Sequence, residues 1–242
     1  MQRGTWAALR WFPRITANCR DRFTAEDFDF VVATLARDEK DCVSLVELLT
    51  DADTRDEVLD HPRLLASVLE DGAPLRISPQ LYFYVLIRHV LKETGIESRS
   101  LSDYVASLLE RFSDRARMRS PADGSTEPVQ YVSDMLVALR RASPTQEFLI
   151  RAHIGNYSLF ISGIFRESVE TRAQRGAPDL SFYEDMGRSS FRAAASHHVA
   201  RTAALDGVYE QLAEIFRPVR CALNHLSDSL LHLDTPEIIT PP

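Results

Sequence analysis

Cysteine is scarce in this chain of 242 residues, which holds three: Cys19, Cys42 and Cys221. They are odd in number and far apart, so they form neither a disulfide framework nor a Cys-x-x-Cys metal pair, and a reducing, cytoplasmic compartment is the expectation. Long apolar runs are missing too. The two richest, Leu81 to Leu91 and Ile154 to Phe165, fall short of the roughly 20 residues a spanning helix needs, and Arg88 and His89 interrupt the first. No transmembrane segment is therefore expected. Alternating apolar and polar residues are also lacking, which leaves a β-sheet without a place in the chain.

The usual catalytic spacings are absent as well. There is no phosphate-cradling glycine loop of Walker or dinucleotide type, no His-Glu-x-x-His, and no Glu-x-x-His of a di-iron bundle. Ser158 and the pair Ser162-Gly163 sit inside a helical pattern, not at the strand-to-helix elbow of a hydrolase nucleophile. No catalytic residue and no cofactor is predicted.

What the chain does hold is the material of a globular core. Hydrophobic residues make up 45% and charged residues 26%, a balance that excludes a disordered chain. The net charge of -7 argues against a nucleic-acid binder. Arg111, Arg115, Arg117 and Arg119 form a basic cluster, but Glu110, Asp114 and Asp123 dilute it, and a solvated loop is the expectation.

Helical punctuation recurs along the chain. Thr24 before Ala25-Glu26-Asp27 marks an N-cap with first-turn acids, and Phe28, Val31, Val32 and Leu35 then recur at helical spacing, predicting a helix over 25–37. Further helices are expected at 43–49, 53–59 and 62–69, the last pair divided at His61-Pro62. Ser78-Pro79 opens a helix closed by Gly95, apolar on nearly every face and so central. Others follow from Ser100 or Ser102 to 112, then at 129–142, 144–165, 167–175, 182–197, 202–216 and 218–233, with Pro218 dividing the last pair. The fold class is all-α: a single irregular multi-helix domain of about ten helices with no sheet and no repeat of fixed period. It spans 24–233, with N-terminal helices over 24–75, a main core over 76–233 and an internal loop at 113–128.

Residues 1–23 form a separate basic and aromatic arm. Arg3, Arg10, Arg14 and Arg20 stand beside Trp6, Trp11 and Phe12, with no acid before Asp21. Docking on the main body, contact with a partner or anionic surface, and targeting all fit this composition. Residues 234–242 form an extended, proline-ended tail.

Two stretches stand out chemically. One is Ile154-Gly-Asn-Tyr-Ser-Leu-Phe-Ile-Ser-Gly-Ile-Phe165, and the other is Phe182-Tyr183 with Gly187 and Phe191. Together with Ser78-Pro79-Gln80-Leu81-Tyr82-Phe83-Tyr84, this order resembles a family of helical bacterial proteins with a G-[ND]-x-x-L-x-x-S-G-x-F segment, an aromatic pair and a glycine. The resemblance spans about 75–233 and implies a bacterial, cytoplasmic helical fold. It attaches no activity.

Glycine costs about 1 kcal/mol relative to alanine inside a helix, so Gly155 and Gly163 predict close approach by a neighbouring helix or a ligand. Under the ligand reading, Arg151, His153, Asn156 and Tyr157 project toward Tyr183, Glu184 and Arg188 in a polar pocket floored by Phe160 and Phe182. Such a pocket suits an anionic or carbonyl-bearing small molecule. Under the packing reading, the glycines simply let helices meet.

For metal, His225, Asp228 and His232 share a face by three- and four-residue spacing, a weak candidate against a solvated helix surface. His197 and His198 would point about 100° apart on a helix and cannot both face one ion without help. His89 and Glu93 form a surface or capping pair. The expected function is that of a non-enzymatic regulatory or scaffolding protein acting through protein partners or self-association. A helical enzyme or small-molecule sensor built around His153, Asn156, Tyr183 and Arg188 is the alternative.

Overall fold

Capping residues start the helices much where the sequence places them. In the computed structural model, which describes residues 18–70, 76–113 and 132–230, the Thr24 hydroxyl accepts the Asp27 N–H while the Asp27 carboxylate accepts the Thr24 N–H. This reciprocal box opens α1 (Ala25–Leu35). Asp38, Asp51 and His61 cap α2 (Glu39–Thr50), α3 (Ala52–Leu59) and α4 (Pro62–Val68). Ser78, with proline next, opens α5 (Pro79–Glu93), and α6 (Arg99–Phe112) follows the positive-φ turn at Gly95.

The remaining helices are α7 (Val132–Leu139), α8 (Pro144–Ile164), α9 (Arg166–Ala173), α10 (Leu180–Ala195), α11 (His198–Thr202), α12 (Asp206–Glu214) and α13 (Phe216–Ser229). The fold is all-α, with thirteen α-helices and no strand among the described residues. The sequence predicts about ten. Part of the excess arises where the pattern predicts one helix over 182–197 and the next from 202: the chain breaks at Ser196-His197, and Ala204 closes α11 at φ 52°. An alanine in the left-handed region costs about 1–2 kcal/mol and carries no glycine signal in the sequence. The expected division near Pro218 falls slightly earlier, at Ile215 between α12 and α13.

The chain divides into two compact units, one over residues 15–111 and one from residue 112 onward. In the first, α5 buries Leu81, Tyr84, Val85, Leu86, Ile87, Val90 and Leu91, as its all-round apolar pattern requires. Leu64 and Val68 of α4, Val31 of α1, and Leu101, Tyr104, Val105 and Leu108 of α6 are buried too. A 3-10 turn, Arg20–Arg22, packs on α5.

In the second unit α8 is the axis, packing most extensively on α10 and also on α13, α7 and α9. The packing reading of the glycines is met here. A Cβ on Gly155 would stand 2.7 Å from the Phe191 ring of α10, and one on Gly163 would stand 2.8 Å from Leu223 of α13. Gly187 of α10 is seated more tightly still, against the Phe216 ring. Phe191 stacks on Tyr209 and leans on Phe216, so Gly155 and Gly187 seat a buried aromatic cluster.

The expected loop at 113–128 apart from Ser113, the tail at 234–242 and the arm over residues 1–17 lie outside the described residues.

Candidate functional site

Three helices of the first unit each present polar residues at four-residue spacing on one face: Asp56 and Asp60 from α3 and its C-cap, Tyr84, Arg88 and Lys92 from α5, and Arg99, Asp103 and Ser107 from α6. These stripes meet in a largely buried polar seam. Arg20 places its Nε 3.1 and 3.0 Å from the two Asp103 oxygens and its Nη2 at 2.7 Å, while Nη1 donates to Asp56. Arg88 donates to both Asp60 oxygens, at 2.9 and 3.1 Å, and to the Glu97 backbone carbonyl and carboxylate. Lys92 reaches Asp60 at 3.1 Å. Arg99 completes the set, at 3.5 Å from Asp56 and 3.3 Å from Asp60.

The seam is balanced in charge, with Arg20, Arg88, Lys92 and Arg99 facing Asp56, Asp60, Glu97 and Asp103. Burial alone would raise the Asp60 carboxyl, but hydrogen bonds from Arg88 and Lys92 outweigh it and hold it below the usual carboxylate range. Asp103 lies deeper. There burial prevails over the Arg20 hydrogen bonds, and its carboxyl is raised.

Tyr84, like Ser107, carries a buried hydroxyl that the seam leaves unsatisfied. Tyr84 is fully buried, and its hydroxyl makes no hydrogen bond among the described residues. Phe23 packs edge-on against the ring at 5.7 Å, and the Arg20 guanidinium carbon lies 5.6 Å from the ring centroid. Burial pushes the phenol up to about 12. Leaving such a hydroxyl unpaired costs about 1–3 kcal/mol. Cys19, next to Arg20, is likewise buried, with Sγ 3.2 Å from the Gln80 carbonyl oxygen and its thiol pushed up to about 12. A thiol so disfavoured as thiolate packs as a small apolar group.

The expectations drawn from the sequence do not single out this seam. Its signal is there, in polar residues four apart on three helices, but along the chain Arg88 reads only as a break in an apolar run. The partners are far apart in sequence, Arg20 and Asp103 by 83 residues, and spacing alone cannot pair them.

The expected ligand residues lie in the second unit. His153 and Asn156 are buried on α8, with His153 beside the Phe112 ring at 5.7 Å, and Tyr157 is half-buried. Arg151 lies 3.6 Å from Glu147 on its own helix. On α10, Tyr183 is buried against Phe182, and exposed Arg188 places Nε 3.4 Å from the Ala213 carbonyl oxygen. Glu184 is taken by Arg220 of α13 at 2.8 Å.

Arg220 in turn donates to Asn224 Oδ1 at 2.5 Å, and Asn224 Nδ2 donates to the carbonyls of Ser162 and Gly163 at 2.9 and 2.7 Å. Ser227 donates to the Ile164 carbonyl at 2.8 Å. Asn224 and Ser227 thus serve the last carbonyls of α8, which a helix end leaves without partners, and Arg220 holds Asn224 in place.

His225 and Asp228 are exposed on α13, with His225 Nδ1 3.2 Å from Ser229 Oγ; His232, the third member of that candidate, lies outside the described residues. Among the described residues no group of three or more His, Cys, Asp and Glu side chains is arranged to hold a metal ion. His197 and His198 depart from the expected divergence, their ring centroids 4.3 Å apart. His197 is the N-cap of α11 and not a helical residue, and it stacks on Phe148 at 5.2 Å. Burial, with His198 alongside, lowers its pKa. His89 and Glu93 pair at 3.3 Å along α5, as their spacing predicts. Of the basic cluster, Arg115, Arg117 and Arg119 lie outside the described residues.

One surface feature remains. Val43 and Val46, three residues apart on the outer face of α2, are 63% and 54% exposed, while Leu49 near the end of the helix is buried. The stretch from 38 to 53 that carries them holds Asp38, Glu39, Asp41, Glu47, Asp51 and Asp53 against Lys40, with Arg37 and Arg55 at its two ends. No helix among the described residues is long and apolar enough to cross a membrane.

What the fold defines is an all-α protein with a charge-balanced polar seam and an acid-rimmed apolar helix face. No family model matches the chain, and neither a curated protein nor a solved structure is similar to it.

Proposed function

We propose that this is a non-enzymatic cytoplasmic protein of the helical bacterial kind its motifs resemble, and that it acts by holding a basic amphipathic helix of a protein partner on α2. The observation that carries this reading is the exposed Val43 and Val46 pair inside its acidic rim. Two valines are a narrow anchor. A partner helix with apolar residues three or four apart covers them, and flanking lysines or arginines meet Asp38, Glu39, Asp41 and Glu47. Long-range attraction to those acids steers the partner and makes the contact sensitive to salt.

The test uses the full chain and two synthetic helical peptides, one with leucines on one face and lysines on the other, the second with glutamates in place of the lysines. The basic peptide is expected to bind, to weaken as salt rises, and to lose about tenfold or more in affinity on the double substitution Val43→Ser and Val46→Ser. Circular dichroism checks that the variant keeps its helices. Equal binding of both peptides, binding of neither, or an affinity unmoved by the substitutions would overturn the proposal. Sedimentation showing a dimer that the same substitutions dissolve would replace the basic partner by a second copy and overturn it as well.

A further inference from the structure

We infer that the Tyr84 hydroxyl, together with the charged side chains around it, forms an internal binding position for one small neutral hydrogen-bonding molecule, and that its occupant is an ordered water. Tyr84 is fully buried, and its Oη has no hydrogen-bond partner among the described residues. Charged groups stand beside its ring: the Arg20 guanidinium carbon lies 5.6 Å from the ring centroid, Arg20 is paired with Asp103 of α6 and Asp56 of α3, and Arg99 of α6 lies 3.5 Å from Asp56. Guanidinium groups supply donors and carboxylates supply acceptors in the same seam. Buried waters typically make about three hydrogen bonds to polar groups left unsatisfied by the protein, and a water both donates and accepts.

The balance of charge selects the occupant. Arg20 and Arg99 offset Asp56 and Asp103, so an anion gains from the arginines what it loses to the carboxylates, and a cation meets the reverse. A neutral molecule escapes both penalties. The helices would then be joined through a bridging molecule as well as through their ion pairs, which accounts for a tyrosine at a position where a phenylalanine fills the same space.

Tyr84→Phe in the full chain separates the alternatives by the sign of its effect. A hydroxyl bonded to a water contributes to stability, so the variant is expected to melt a few degrees lower. A hydroxyl truly unpaired is a burden, and its removal would raise the melting temperature or leave it unmoved, overturning the inference. Crystals of both proteins give a second readout. Density within hydrogen-bonding distance of Tyr84 Oη and of a second seam residue is expected in the parent and lost in the variant, and an empty position in the parent would overturn the inference even if the variant fails to fold. Density of a charged or larger molecule there would also overturn it.

Discussion

Asp27 and Ser78 cap two helices with one shared carboxylate. Asp27 Oδ1 accepts the Ser78 N–H at 2.7 Å and Oδ2 accepts the Ser78 hydroxyl at 2.6 Å, while Oδ2 also takes the Thr24 N–H at 2.8 Å. Ser78 Oγ in turn accepts the Leu81 N–H. The starts of α1 and α5 are therefore one hydrogen-bonded unit at a fully buried carboxylate. Asp27→Ala strands three donors at once, and denaturant unfolding is expected to show a loss of about 2–4 kcal/mol. Asp27→Asn, which keeps the acceptor Oδ1, is expected to lose less.

The same glycine-to-alanine change carries opposite signs at two helical positions. At Gly187 the added methyl meets the fully buried Phe216 ring, and overpacking of about 1–3 kcal/mol exceeds the roughly 1 kcal/mol that alanine gains in helix propensity. At Gly207 nothing stands within 4 Å. Gly187→Ala is expected to lower the melting temperature, and Phe216→Leu in the same chain to recover part of the loss. Gly207→Ala is expected to be neutral or stabilising by less than about 1 kcal/mol.

Asp60 and Asp103 contribute to acid stability with opposite signs. The folded chain depresses the Asp60 carboxyl, so its contribution is present above the ordinary value of 3.8 and is lost as the pH falls through the lower folded value. Asp103 is raised, so the folded chain holds its proton more tightly and gains stability as the pH falls from its folded value toward 3.8. Unfolding measured against pH should therefore show a shallower acid limb for Asp60→Asn below about pH 4. Asp103→Asn should give a steeper decline just above that pH.

Asn224→Ala removes two bonds to the end of α8 and one partner of the buried Arg220. The expected loss is about 2–4 kcal/mol by denaturant unfolding. Hydrogen exchange should locate the effect at the last turn of α8, where Ser162 and Gly163 carry the freed carbonyls.

Helix starts are the most legible part of the fold. Thr24, Ser78 and Ser143 each act on an N–H three residues ahead, so the signal and its structural partner lie together in the chain. The close approach at Gly155 and Gly163 is legible too, because a glycine inside a helix is costly unless the missing side chain makes room for something. What fills that room is not legible: Phe191 and Leu223 come from other helices. The break before α11 leaves no ordinary signal, because histidine caps it and alanine ends the helix, where a sequence reading looks for serine and glycine.

The order of amino acids by itself determined the all-α class, through apolar residues at helical spacing and the caps that bound them, since both act within one or two turns. Only the tertiary structure decided which polar stripes would be buried together. Asp56, Asp60, Arg88, Arg99 and Asp103 each satisfy a helix on their own, and only packing brings Arg20 to Asp103 and buries Tyr84. An ionic group can be buried only when its partner arrives with it, and that pairing depends on how distant helices meet.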